Sequence, residues 1–154
     1  MNLEVKIKDL MIRDITSVLP DCNLENLIKI LSRHRITGVP VVNQQQEVVG
    51  FISQHDIIKA ILPNYLEIID SCSLLTEFIQ LSKRLKDYSH HKVEEFMNTK
   101  VITIKEEDNE VIAADLLIRN KIQRLPVVRQ NKLVGVVTLT DICRILLESN
   151  EKNS

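Results

Sequence analysis

The stretch RITGVPVVNQQQEVVGFISQHDI, residues 35–57, returns late in the chain as KIQRLPVVRQNKLVGVVTLTDI, residues 121–142. Ile36, Pro40, Val41, Val42, Val49, Gly50, Asp56 and Ile57 recur as Ile122, Pro126, Val127, Val128, Val134, Gly135, Asp141 and Ile142. Met11 and Met97 stand 86 residues apart, as do Pro40 and Pro126, whereas Gly50 and Gly135 stand 85 apart. The missing residue falls between NQQQE and RQNK, where a hairpin turn tolerates a change of length. A fixed period of this kind marks a repeated supersecondary unit, so the chain is read as two copies of one βαββα unit.

Both copies follow one order. Residues 15–18 (ITSV) and 101–104 (VITI) are short and β-branched, and each is read as a brief strand. A helix follows. Pro20-Asp21-Cys22-Asn23 offers capping side chains, and Leu24, Leu27, Ile28 and Leu31 then recur at helical spacing. In the second copy Asp108 or Asn109 can cap, and Ala113, Ala114 and Leu117 form the stripe. VPVV with EVVGFIS, and LPVV with KLVGVVT, read as hairpins with the proline at a strand start, where its missing N–H costs least. Gly50 and Gly135 fall inside the second strands and mark a bulge or a close backbone approach, as to a ligand. QHDIIKAIL and LTDICRILL close each copy as helices.

From about Pro63 to His91 the chain has no counterpart in either copy. There Leu74, Phe78, Leu81, Leu85 and Tyr88 step by three and four, which describes an amphipathic helix able to pack on its own chain or on a second subunit. The expected organisation is a first repeat over 1–62, a helical insertion over 63–90, a second repeat over 91–150 and a flexible tail over 151–154.

Composition narrows the function. In a chain of 154 residues each repeat is too small to bury a stable core alone, so each should need the other. Hydrophobic residues make up 44 % and aromatic residues 3 %, so Val, Ile and Leu must build the core. Twenty Lys and Arg against 21 Asp and Glu leave a formal charge of −1, which offers no broad field for nucleic acid or an anionic membrane. Cys22, Cys72 and Cys143 have neither CxxC spacing nor an even count, so no disulfide framework or zinc site is expected. Reduced thiols, and a first stretch MNLEVKIKDLMIRD without a continuous apolar run, point to a cytoplasmic protein. No Gly-rich phosphate loop or nucleophile elbow is present, and His90-His91 lacks spaced acidic or Cys partners, so neither catalysis nor a metal site is expected.

The sequence of Met, short strand, helix, Ile-x-x-hydrophobic-Pro-Val-Val and Val-Gly-hydrophobic-hydrophobic-Ser/Thr-x-x-Asp-Ile resembles the CBS domain, over roughly residues 5–62 and 91–148. The resemblance implies an α+β fold: two CBS-type βαββα repeats packed with pseudo-twofold symmetry as a Bateman module, plus the helical insertion. It also implies a homodimer, and two clefts that in many relatives hold AMP, ADP or ATP, and less often S-adenosylmethionine.

The family's ribose motif falls on Ser53, His55 and Asp56 and on Thr138, Thr140 and Asp141. An ionised Asp can accept hydrogen bonds from both ribose hydroxyls. Ser/Thr-x-x-Asp at a helix start is equally a capping box that needs no ligand, and the two readings are compatible. Ile15-Thr16-Ser17 and Val101-Ile102-Thr103 match the strand that receives adenine, although a plain core strand would read the same. Ahead of Pro126, Arg124 matches the place of a basic phosphate contact, while Gly38 ahead of Pro40 offers none. Arg33, His34, Arg35 and His55 are the substitutes in the first copy, set against the simpler reading of charges at a helix end.

Two functions follow as expectations. One is a non-catalytic regulatory module that binds an adenosine ligand and signals to a separate, unidentified target protein. The other is an interaction or dimerisation scaffold without a small-molecule ligand.

Overall fold

The computed structural model describes residues 4–62 and 74–152. In chain order its elements are α1 (Ile7–Leu10), α2 (Leu24–His34), β1 (Gly38–Val42), β2 (Val48–Ser53), α3 (Gln54–Ile61), α4 (Leu74–Tyr88), a 3-10 turn (Val93–Glu95), β3 (Ile104–Lys105), α5 (Glu110–Arg119), β4 (Arg124–Arg129), β5 (Lys132–Thr138) and α6 (Leu139–Lys152). They divide between two compact units. One comprises Ser17–Asn43 and Val49–Thr99, and the other Met1–Thr16, Gln44–Val48 and Lys100–Ser154.

In the unit that carries the first hairpin, Asn23 caps α2 by accepting from Asn26 N at 2.8 Å. The expected stripe then buries Leu24, Leu27 and Leu31 against Val39, Val41 and Ile52 of the β1–β2 hairpin. Each such side chain contributes about 1.5–3 kcal/mol by leaving water. The C-terminal half of α4 packs on the same core through Leu85 and Tyr88, and Arg84 Nε donates to Ile61 O at 2.7 Å, satisfying an orphan carbonyl at the end of α3. The C-terminal half of the insertion's helix therefore packs on its own chain, while residues 63–73 of the expected insertion lie outside the described residues. Its stripe is not continuous, because Phe78 is 68 % exposed; Leu74 lies outside the described side chains.

In the other unit β3 runs parallel to β4, and β4 pairs antiparallel with β5. Asn109 caps α5 by accepting from Val111 N and Ile112 N, and Ala113 and Leu117 are buried. Asp108 instead turns back to accept from Lys105 N. The β4–β5 turn is two residues, Gln130 and Asn131, both at positive φ, which suits a tight hairpin. The register slips between Val127 and Val128, a bulge that leaves Val134 without a partner beside Gly135. Helix α6 runs to Lys152, so the tail expected from 151 begins as helix.

The two leader segments dock reciprocally. Helix α1 belongs to the unit of the second hairpin, where Ile7 and Leu10 join a core with Leu125, Val127 and Val137. Ile7 N donates to Asp108 O at 2.8 Å, Val5 N to Glu110 Oε2 at 2.8 Å, and Lys6 and Lys8 pair with Glu107. The second leader lies in the unit of the first hairpin, with Val93 fully buried and Asn98 bridged to Phe51.

Three sequence expectations are corrected. The strand expected at 15–18 reduces to one bridge, Val18 to Val41, because the Asp14 side chain takes the Thr16 amide into a local turn. The strand expected at 101–104 forms only over Ile104–Lys105. Pro40 and Pro126 lie at the third position of β1 and β4, not at a strand start. Pro126 is tolerated because its partner Val136 directs both backbone bonds away, to Ile12, so that the proline nitrogen faces the edge where β3 begins pairing only at Val127.

Candidate functional site

The register of the second hairpin sets Arg124 opposite Thr138. Thr138 caps α6: its Oγ1 accepts from Asp141 N at 3.3 Å, while Asp141 Oδ2 accepts from Thr138 N at 2.9 Å and from its hydroxyl at 3.0 Å. This is a complete capping box. Asp141 is 2 % exposed, and its Oδ1 lies 3.4 Å from the Arg144 guanidinium one turn along the helix. Arg124 reaches the first leader, with its guanidinium 3.7 Å from Asp14 Oδ2. Asp14 Oδ1 accepts from Thr16 N at 2.9 Å and from Thr16 Oγ1 at 2.6 Å.

A polar row thus joins Thr16, Asp14, Arg124, Thr138 and Asp141 within one compact unit. Ile12 and Ile15 of the same leader are each 49 % exposed and set an apolar face on the unit. Pro126 is buried, Thr140 is exposed at the start of α6, Ile102 packs on the core, and Val101 and Thr103 are half-buried. Ser17 belongs to the other unit, so the expected triplet Ile15-Thr16-Ser17 is divided.

In the unit of the first hairpin Ser53 and Asp56 form the equivalent box, with Asp56 Oδ2 accepting from Ser53 N at 2.9 Å and from its hydroxyl at 3.1 Å. Gly38 and Pro40 are buried in β1. A Cβ built at Gly38 would meet Phe51 Cε1 at 2.8 Å and Ile52 O at 3.0 Å, so no basic side chain fits where Arg124 stands in the second copy. Arg33 and His34 occupy the last turn of α2, and Arg35 is its left-handed C-cap, the helix-end roles that favour cations. Arg35 and His55 meet with Thr37 on an open groove of about 730 Å³ whose floor includes Ile28, Ile57 and Leu85.

The glycine close approach is made by the chain itself. A Cβ on Gly50 would stand 2.5 Å from Met97 Sδ, and one on Gly135 would stand 2.7 Å from Ile12 O and 2.8 Å from Met11 Sδ. The recurring methionines of the repeat are the leaders' contacts to these glycines.

Sequence reasoning missed Asp14 and Arg144. Asp14 stands two residues before Thr16, the spacing of a side-chain turn, and Arg144 stands three after Asp141 on one helix face. Both signals were legible, but neither says which groups they flank. Elsewhere, burial and the nearby Asp21 push the Cys22 thiol above its ordinary range, which disfavours the thiolate. Among the described residues no three His, Cys, Asp or Glu side chains gather as metal ligands would. No helix among them is long and apolar enough to cross a membrane.

A hairpin followed by a helix that a Ser/Thr-x-x-Asp box caps occurs twice, which defines a tandem-repeat architecture. The CBS domain model matches residues 7–63 and 93–148, and the chain belongs to this family as a pair of CBS domains in an α+β fold. An uncharacterized protein of Methanocaldococcus jannaschii is 34 % identical over 92 % of this chain and 90 % of its own length. The CBS domain of a CBS domain-containing membrane protein from Sphaerobacter thermophilus superposes with a TM-score of 0.71 at 26 % identity, covering 92 % of this chain and 88 % of that one. CBSX2, a CBS-pair protein from Arabidopsis thaliana, in complex with AMP gives a TM-score of 0.69 at 25 % identity, covering 93 % of this chain and 96 % of that one.

Proposed function

We propose that this chain is a non-catalytic regulatory module that binds an adenosine-containing ligand, a nucleotide of the AMP, ADP or ATP class or S-adenosylmethionine, acts as a homodimer, and signals to a separate protein in the cytoplasm. The observation that carries the reading is the polar row Thr16–Asp14–Arg124–Thr138–Asp141 beside exposed Ile15, because it offers hydroxyl, carboxylate and guanidinium groups next to an apolar face. Such a face suits a purine, and such a row suits its ribose and 5′ substituent. The AMP complex of CBSX2 supports the ligand class. Regulation requires the ligand to favour one conformation over another. Exposed Val111 and Ile118 on α5, with Leu146 and Leu147 on α6, support self-association.

The test is thermal unfolding against adenosine, AMP, ADP, ATP and S-adenosylmethionine, with guanosine and inorganic phosphate as controls. Ligand at one hundred times its dissociation constant adds about 2.7 kcal/mol to a site present only in the folded state. A rise of several degrees with an adenosine ligand and none with guanosine supports the reading, and no rise with any of them overturns it.

The scaffold reading has one observation in its favour. Asp141 is fully engaged, its Oδ2 in the cap and its Oδ1 facing Arg144, at 2 % exposure. Under that reading Asp141→Ala lowers stability and changes nothing else. Under the ligand reading it also removes the adenosine-dependent shift.

A further inference from the structure

We infer that Asp14 is a specificity-determining residue, one that holds Arg124 in a neutral pair and turns this site toward adenosine ligands whose 5′ substituent carries little or no negative charge. The inference rests on the adenosine reading above and deepens it.

Arg124 matches the family position for a phosphate contact, and a guanidinium fork is well suited to phosphate. In this chain its charge is already answered. Asp14 Oδ2 lies 3.7 Å from the guanidinium, and Asp14 cannot readily turn away because its other oxygen accepts both the Thr16 amide, at 2.9 Å, and the Thr16 hydroxyl, at 2.6 Å. The Arg124 side chain is 23 % exposed and that of Asp14 39 %, so solvent screens the pair only in part. An incoming phosphate meets a fixed carboxylate beside the Arg124 guanidinium it seeks, so Asp14 repels each phosphate brought to that guanidinium. A repulsive group set against one class of ligand is a common source of selectivity. A neutral 5′ group loses nothing to Asp14, and a cationic one gains from it.

The experiment is calorimetric titration of adenosine and ATP into the full chain, wild type, Asp14→Asn, and Asp14→Asn combined with Arg124→Ala. Asparagine keeps the oxygen that accepts from Thr16 and replaces the one facing Arg124 with a neutral amide nitrogen. The wild type is expected to bind adenosine at least as tightly as ATP. Asp14→Asn is expected to tighten ATP by about tenfold, a difference of about 1.4 kcal/mol, while adenosine moves by less than about twofold. Adding Arg124→Ala should erase the gain, which ties the effect to this pair and not to a second site. Wild-type preference for ATP over adenosine, an unmoved ratio in Asp14→Asn, or a gain that survives Arg124→Ala each overturn the inference while leaving the adenosine reading intact. Failure of every variant to bind either ligand overturns the adenosine reading, and this inference with it.

Discussion

Replacing Gly135 by alanine tests the docking of the first leader. A Cβ at that position would stand 2.7 Å from Ile12 O, closer than carbon and oxygen tolerate. The obstructing atom is backbone, and it is engaged: Ile12 O accepts from Val136 N at 2.9 Å, and Ile12 N donates to Val136 O at 2.9 Å. Shifting the leader strains both bonds, each worth about 0.5–1.5 kcal/mol net, against a gain of about 0.4–1 kcal/mol from the stiffer unfolded chain. The expected loss is about 1–2 kcal/mol, or roughly 2–8 °C in midpoint for a chain of this size. At Gly50 the nearest atom is closer, Met97 Sδ at 2.5 Å, yet it sits in a flexible side chain, and the nearest backbone atom, Asn98 O, is 3.3 Å away. Gly50→Ala should therefore be nearly neutral. Urea unfolding of the two variants side by side decides the matter. If Gly50→Ala is as destabilising as Gly135→Ala, or if Met11→Ala rescues Gly135→Ala, the reasoning from backbone obstruction fails.

Other perturbations test the remaining contacts. Asp141→Ala removes a cap whose carboxylate is 2 % exposed and strands the Thr138 amide, so chemical denaturation should report a loss of about 2–3 kcal/mol, larger than for the half-buried Asp56. Leu85→Ala should cost about 1–3 kcal/mol by calorimetry because it opens the core contact of α4, whereas Phe78→Ala, at 68 % exposure, should lie within about 0.5 kcal/mol of wild type. Hydrogen bonds from Lys6 and Lys8 hold the Glu107 carboxyl below its ordinary value of 4.5, and Arg129 does the same for Glu106. A carboxylate depressed in the folded state adds stability above its unfolded value and loses it as pH falls through the folded one. The urea midpoint should thus drop as pH falls below about 4.5, and Glu107→Gln should make that drop shallower; an unchanged slope in the variant would show that the pair does not contribute.

Much of this fold was legible in the residues, for physical reasons. Leu24, Leu27 and Leu31 repeat at the helical period, and Asn23 and Asn109 cap because short polar side chains reach the first free amides. The reciprocal docking of the leaders was not legible. Met11 and Met97 keep the same spacing to the hairpin that follows whether each leader packs on its own repeat or on the other, so periodicity carries no information about which. The strand at 15–18 failed because β-branched composition ignores the competing turn that Asp14 offers to Thr16. For the candidate site, the two capping boxes were visible in sequence. The union of Thr16 with Arg124 was not, since it depends on where a leader lands and on a cross-strand register.

The exchange of leaders changes what a fragment of this chain can be. Residues 1–62 contain the first hairpin and α3 but lack Val93, which is fully buried in that hairpin's core. Residues 74–154 contain the second hairpin but lack Ile7 and Leu10, which fill the other. Neither half owns a complete interior, and each carries the missing piece of its counterpart. Produced together as separate polypeptides, the halves should reconstitute by complementation, and produced singly each should stay unfolded. A chain built this way cannot lose one repeat and leave the other with a filled interior.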